Sequence, residues 1–272
     1  MSPIISQLFI YPIKSCSGIS VPCIQFDHKG PLFDRRWMLV DRETGVFLSQ
    51  REISKMALIS TSIVGRRVWA RQSINTSLDS AFILPVGGEL VDVTVWSDHV
   101  QGYDCGDQAA TWFSQLIDHD CRLVFQGGLG RLADEKYTDE DAEISFADGF
   151  PLLVVNQSSI DLLNGACSDA EIAAENFRPN IVVKDSAAFS EKSWSSLSTD
   201  SLDMKVVKAC ERCVIPTINP KTGEREKSIL PVLLKYCRAN KKLYFGQNLT
   251  FKFSEGAEVS IGQLLKIQAA GI

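Results

Sequence analysis

The run Trp37-Met38-Leu39-Val40-Asp41, then Arg42-Glu43-Thr44-Gly45, then Val46-Phe47-Leu48-Ser49 has the pattern of a hairpin. Two short apolar segments flank a polar turn, and Gly45 supplies the freedom to turn tightly. The same grammar extends in both directions. Upstream, Ile4–Ile13 and Ile19–Phe26 are predicted strands joined through Lys14-Ser15-Cys16-Ser17-Gly18. Downstream, Met56–Val64, Arg67–Arg71, Ala81–Pro85 and Leu90–Trp96 continue the short apolar segments. The first helical spacing falls in Gly106–Ile117, where Ala109, Trp112, Phe113, Leu116 and Ile117 share a face.

Residues Gln126–Ala142 are rich in Gly, Asp and Glu with no apolar period, and read as a surface connection. They suggest a division into residues 1–125 and 126–272. Beyond them Pro151–Val155 is apolar, and a helix is predicted over Ser158–Asn164 with Ser158 or Ser159 as N-cap. Ile181–Val183, Lys205–Val207, Val214–Ile218 and Leu243–Phe253 read as strands, Leu230–Ala239 as a helix, and Glu258–Lys266 as a closing strand turn. Short strands with a few inserted helices predict a mixed α+β, mainly β architecture of barrel-like domains.

With 272 residues, 45% of them hydrophobic and 22% charged, the chain can bury a real core. A net charge of −5 argues against general attraction to nucleic acid or an anionic membrane, so any important cation acts locally. No apolar stretch is long enough to span a bilayer, and Met1–Ile5 lacks a secretory pattern. The eight cysteines are mostly isolated, which suits reduced thiols and a cytoplasmic setting.

Chemistry concentrates in Lys208-Ala209-Cys210-Glu211-Arg212-Cys213-Val214-Ile215-Pro216-Thr217. A zinc site needs a second ligand pair, and the other cysteines and three histidines are scattered. A thioredoxin-like pair should open a helix, whereas this one runs into a strand-like, proline-containing segment. Two buried structural cysteines remain the plain alternative. Lys14, Arg35, Arg178 and Arg212 each border a predicted strand, where a half-buried cation needs an anion. Singly, each is readily a surface residue with a packed stem. Together, beside a thiolate, they suit a phosphate-bearing cofactor with a soft metal.

At this point Tyr11-Pro12-Ile13-Lys14-Ser15-Cys16-Ser17-Gly18 and Phe33-Asp34-Arg35-Arg36-Trp37-Met38-Leu39-Val40 resemble the N-terminal domain of MOSC proteins. Phe146-Ala147-Asp148-Gly149-Phe150-Pro151, Asn176-Phe177-Arg178-Pro179-Asn180 and Cys210-Glu211-Arg212-Cys213 resemble the MOSC domain. Asn219-Pro220-Lys221-Thr222-Gly223 and Phe245-Gly246-Gln247-Asn248-Leu249 follow in the expected order. The likeness spans nearly the whole chain and is nearest to the YcbX-like proteins and the mitochondrial amidoxime-reducing component.

The resemblance implies an N-terminal β-barrel-like domain followed by a MOSC β-barrel with inserted helices. It implies that Cys213 ligates the molybdenum of a molybdenum-pterin cofactor (Mo-molybdopterin). Lys14, Ser15, Arg35, Arg178 and Arg212 would hold phosphate and pterin, and Asp148 and Asn248 would line the site near the metal. The implied reaction removes oxygen from N-hydroxylated small molecules. Asp148 would be its proton donor if burial raises its pKa, but ahead of Gly149 it is equally a turn-former. After Cys213 only Cys237 remains, so no iron–sulfur cluster is expected in this chain, and a separate flavin or iron–sulfur reductase is expected as electron donor. The alternative implied by the family is a sulfur carrier with a cysteine persulfide.

Overall fold

Along Ile4–Ile10, Leu8 and Ile10 bury into one apolar cluster while Phe9 buries into another, so this first strand has cores on both faces. The computed structural model describes residues 2–72, 81–128, 130–138, 142–252 and 254–270. Its principal elements begin with β1 (Ile4–Ile10), β2 (Ile19–Ser20), β3 (Trp37–Asp41), β4 (Glu89–Val95) and β5 (Asp98–Asp104). Then come α1 (Asp107–Ile117), β6 (Cys121–Phe125), β7 (Leu152–Asn156), α2 (Gln157–Gly165), α3 (Ala174–Phe177) and β8 (Ile181–Lys184). The chain closes with β9 (Trp194–Ser198), β10 (Asp203–Glu211), α4 (Ile229–Tyr236), β11 (Lys242–Lys252) and β12 (Lys266–Ala269).

A nine-stranded sheet runs in the order β2-β1-β8-β7-β11-β10-β9-β12, with the short strand Arg238–Ala239 added to β11. Only the β7–β8 pair in it is parallel, and α2 and α3 make the crossover between them. A second, antiparallel sheet has the order β3-β6-β5-β4, and α1 packs its apolar face beneath it. Neither sheet closes fully, so the molecule is mainly β and barrel-like. Strand β1 pairs with β8, which carries the N-terminal end of the chain into the large sheet. Bridging Ile13 to Trp37 then takes it directly to the second sheet. The turn after β1 therefore sits where the two sheets meet.

Several predicted elements change on inspection of the structure. Val214–Ile218 is a 3₁₀ turn over Ile215–Thr217, because Pro216 has no N–H to give a ladder. The cap of α2 is Asn156, whose side chain accepts from the Ser158 N–H, not Ser158 or Ser159. Leu230–Ala239 ends as a helix at Tyr236, and Arg238–Ala239 turns into sheet. Within Gln126–Ala142, Arg131–Leu132 pairs with Glu143–Ile144 as a small ribbon, while residues 129 and 139–141, like Phe253, lie outside the described residues. Strands β5, β6 and β9 were not expected. Strand β5 is polar in sequence, and its seven-residue register with β4 holds it in place.

Candidate active site

The site is assembled from turns whose backbones are forced into unusual conformations. Ser15, Arg35, Trp96 and Arg178 all have left-handed φ values, of 64°, 50°, 57° and 56°. Non-glycine residues adopt that region rarely, and such strain gathers where surrounding contacts over-determine the backbone. The Lys14 N–H donates to the Trp37 carbonyl, the Arg35 N–H to Tyr11, and the Phe146 N–H to Arg35. Three distant segments are thus stitched edge to edge. Arg178 caps α3, and Asn176 in that helix donates to the carbonyls of Pro216 and Ile218, fixing the loop after Cys213.

The product is an open cleft between the two sheets. Lys14, Ser15, Arg35, Asp148, Arg178, Arg212, Cys213 and Asn248 all line it, as does Cys210. All eight positions singled out in the sequence therefore meet at one place. Phe47, Arg51, Trp96 and Phe150 also line it, and sequence reading missed them. Their apolar or strand-end context carried no signal of a site.

Charge dominates this cleft. Five cationic side chains (Lys14, Arg35, Arg51, Arg178, Arg212) face two carboxylates, Asp148 and Glu211. Both carboxylates are already engaged, Asp148 with Lys14 at 2.5 Å and Glu211 with Lys242 at 2.8 Å. The Tyr11 ring contacts two guanidiniums, 4.3 Å from Arg35 and 4.4 Å from Arg178. Burial first, then repulsion from Arg35, pushes Arg178 down to about 10. Arg178 Nη2, Arg212 Nε and the Tyr11 hydroxyl are buried without partners among the described residues. Buried donors in that state cost free energy unless a ligand satisfies them, and an anion would do so while relieving the repulsion.

The two cysteines differ. Among the described residues Cys213 Sγ accepts only from the Ile215 N–H, at 3.4 Å, and it stands half-buried on the cleft. Arg212 Nη1 points at Cys210 Sγ, at 3.0 Å, while Nη2 donates to the Phe177 carbonyl. Cys210 is also packed against the apolar cluster that holds Phe177 and Phe245. One thiol is presented and the other is tied down.

Asp148 does not have the raised pKa that a proton donor requires. Burial would push it up, but the Lys14 charge and hydrogen bond, with the Trp96 indole N–H at 3.2 Å, hold it well below the usual carboxylate range. Its side chain remains 68% exposed to the cleft, where water and the Lys14 charge both favour the ionised form. Asp148 is an ionised acceptor in this state. Lys14 is nearly fully buried, and burial lowers its pKa although Asp148 opposes that. Its ammonium donates to both Asp148 and the Phe146 carbonyl.

The cleft thus gathers two thiols and five cations between the two sheets. The MOSC N-terminal beta barrel domain matches residues 2–120 and the MOSC domain matches residues 141–266. The chain is 31% identical over 272 residues to mitochondrial amidoxime reducing component 2 of Bos taurus, spanning 96% of this chain and 80% of that one. It is 30% identical to mitochondrial amidoxime-reducing component 1 of Mus musculus over 89% of this chain and 74% of the relative. With the component 1 protein of Xenopus laevis it shares 32% identity over 81% and 67%. The chain belongs to the MOSC-domain family that contains these amidoxime-reducing components.

Proposed function

We propose that this protein is a molybdenum-cofactor-dependent reductase of N-hydroxylated small molecules, with Cys213 as the protein ligand to molybdenum. The observation that carries the reading is the cleft itself, where a free, half-buried thiol sits beside buried guanidinium nitrogens that lack partners among the described residues. A thiolate suits a redox-active soft metal, and Lys14, Ser15, Arg35, Arg178 and Arg212 suit a phosphate-bearing pterin. The relatives' names supply the direction of the chemistry, reduction of an amidoxime.

Such a reduction consumes two electrons and two protons, breaks the N–O bond, and releases water and the reduced nitrogen. When bound, the cofactor would supply the two electrons. The chain's own residues orient and protonate. Lys14 Nζ holds a proton against Asp148 Oδ1 at the cleft wall, and its lowered pKa makes that ammonium a better acid than an ordinary lysine. Asp148 is thus the group that keeps the proton in place. Asn248 turns an amide without a hydrogen-bond partner among the described residues toward the same space.

Electrons reach the site from a separate flavin or iron–sulfur protein. The test combines composition and turnover. Protein made in a host that synthesises the cofactor should hold about one molybdenum per chain, as one presented thiolate implies. It should reduce benzamidoxime to benzamidine with a chemical reductant and not with NADPH alone. Folded protein without molybdenum but with a persulfide on Cys213 would overturn this reading in favour of a sulfur carrier.

A further inference from the structure

Arg51 stands apart from the other cations of the cleft. Lys14 is held by Asp148 and Phe146, Arg35 by Asp34 and the Arg178 carbonyl, Arg178 by the Cys16 carbonyl, and Arg212 by the Phe177 carbonyl. The Arg51 guanidinium has no hydrogen-bond or ion-pair partner among the described residues, and its Nε is buried. What holds it is a flat ring, since Arg51 lies 4.3 Å over the Trp96 indole.

Trp96 itself is placed deliberately. It occupies the turn between β4 and β5 with a φ of 57°, which a bulky residue adopts only when its surroundings insist. Phe47 meets its ring at 4.5 Å with planes 61° apart, and the indole N–H donates to Asp148. Arg51 can cover only one face, and Trp96 remains 39% exposed beside the cleft. An exposed indole and an anion-hungry guanidinium therefore share one wall, next to the carboxylate nearest the proposed chemistry. Ordinary stem packing explains the position of Arg51 but leaves the buried Nε and the exposed ring unexplained.

We propose that Trp96 and Arg51 form a recognition subsite for the part of the substrate remote from its N–O bond. The subsite takes a flat, conjugated group against the indole and an anionic substituent, such as a carboxylate, on the guanidinium. This rests on the reductase reading and deepens it, naming planar anionic N-hydroxylated compounds as the preferred class. The Arg51 guanidinium, which the proposed cofactor leaves free, disfavours substrates that carry a positive charge at that end.

The test measures binding by calorimetry on cofactor-loaded protein without any electron donor, so that nothing turns over. The probes are 4-carboxybenzamidoxime, benzamidoxime and acetamidoxime. The carboxylate should improve affinity about tenfold over benzamidoxime, the size of one charge-assisted hydrogen bond. Arg51→Gln should erase that preference. Arg51→Lys, which keeps the charge but not the fork, should retain part of it and decides the matter should the glutamine variant misfold. Trp96→Leu should shrink the preference for benzamidoxime over acetamidoxime. In steady state the same preferences should appear mainly in KM. An unchanged carboxylate preference in Arg51→Gln overturns the proposal. So does loss of molybdenum and pterin from that variant, which would assign Arg51 to the cofactor. If loaded protein shows these binding preferences but reduces none of the probes, the subsite stands and the reductase reading falls.

Discussion

Tyr11 shows how far a single side chain organises this site. Its buried ring contacts the guanidiniums of both Arg35 and Arg178, two cations close enough to repel. Gly18 makes room for it, since a Cβ there would come within 2.5 Å of Tyr11 Cε1. Gly18→Ala should therefore displace the ring, cost about 1–3 kcal/mol of stability, and reduce the molybdenum retained after gel filtration. Full retention in that variant would show that the ring's position is immaterial. Thiol chemistry offers a second check at this scale. Burial pushes Cys16 and Cys105 up to about 12, and Cys121 and Cys237 up to about 11, so these thiols should resist alkylation near neutral pH. Cys213 should alkylate in cofactor-free protein and be protected in loaded protein, with peptide mass mapping as the readout. Consistent with that asymmetry, Cys213→Ser should abolish turnover, and Cys210→Ser should keep much of it. Equal loss of metal in both would argue for a two-cysteine chelate. At residue scale the sequence marked the thiol and four of the five cleft cations, because charged residues bordering apolar strands stand out, but not Arg51. Phe47 and Trp96 fell within predicted strands, and nothing local betrayed that a left-handed turn leaves the indole beside a cleft.

Among the elements, legibility followed the strength of the apolar period. Helix α1 matched expectation to within a residue, because Ala109, Phe113, Leu116 and Ile117 all bury against the second sheet. Strand β5 escaped notice because its stability comes from pairing with β4 rather than from its own side chains. The 3₁₀ turn after Cys213 escaped for a different reason: Asn176, some forty residues earlier, supplies its anchoring hydrogen bonds. Removing those with Asn176→Ala should cost roughly 2–3 kcal/mol, since the Pro216 and Ile218 carbonyls lose a buried donor. It should also lower molybdenum content by freeing the Cys213 loop, and intact metal loading would separate stability from site geometry. The 3₁₀ turn Ser190–Ser193 carries another long-range tie. Buried Glu191 accepts from Ser159 in α2 and from Asn156 at the end of β7. Burial raises its pKa above the ordinary 4.5, with those hydrogen bonds opposing only in part. A carboxyl whose folded pKa is raised stabilises fully below its unfolded value, and that contribution is lost as pH climbs through the folded value. Wild-type stability in urea should thus decline above about pH 4.5 relative to Glu191→Gln, which has no proton to lose. Parallel pH profiles for the two proteins would contradict the assignment.

For the molecule as a whole, the balance of charge is the governing fact. A chain with a net charge of −5 nonetheless packs five cationic side chains around one cleft; Asp148 pairs with Lys14, Asp34 with Arg35 and Glu211 with Lys242, which leaves Arg51, Arg178 and Arg212 without an ion-pair partner among the described residues. That concentration is unfavourable without an anion, because like charges repel and buried donors go unsatisfied. The two sheets meeting at this cleft therefore have a reason to be held together by a ligand as well as by their cores. Cofactor-free protein should be measurably less stable than loaded protein. A ligand present at a hundred times its dissociation constant adds about 2.7 kcal/mol, which for a chain of this size corresponds to roughly 5–10 °C in Tm. The cause can be tested apart from the extent. If the cations drive the effect, millimolar phosphate should raise the Tm of cofactor-free protein and do little for the loaded form, where the same guanidiniums are occupied. Arg178→Gln, which removes one of the two mutually repelling guanidiniums, should then narrow the gap between the two forms from the cofactor-free side while lowering retention of molybdenum. A cofactor-free protein as stable as the loaded one, and indifferent to phosphate, would mean that the cleft's charges are already balanced within the chain, and the argument for an anionic occupant would fail with it.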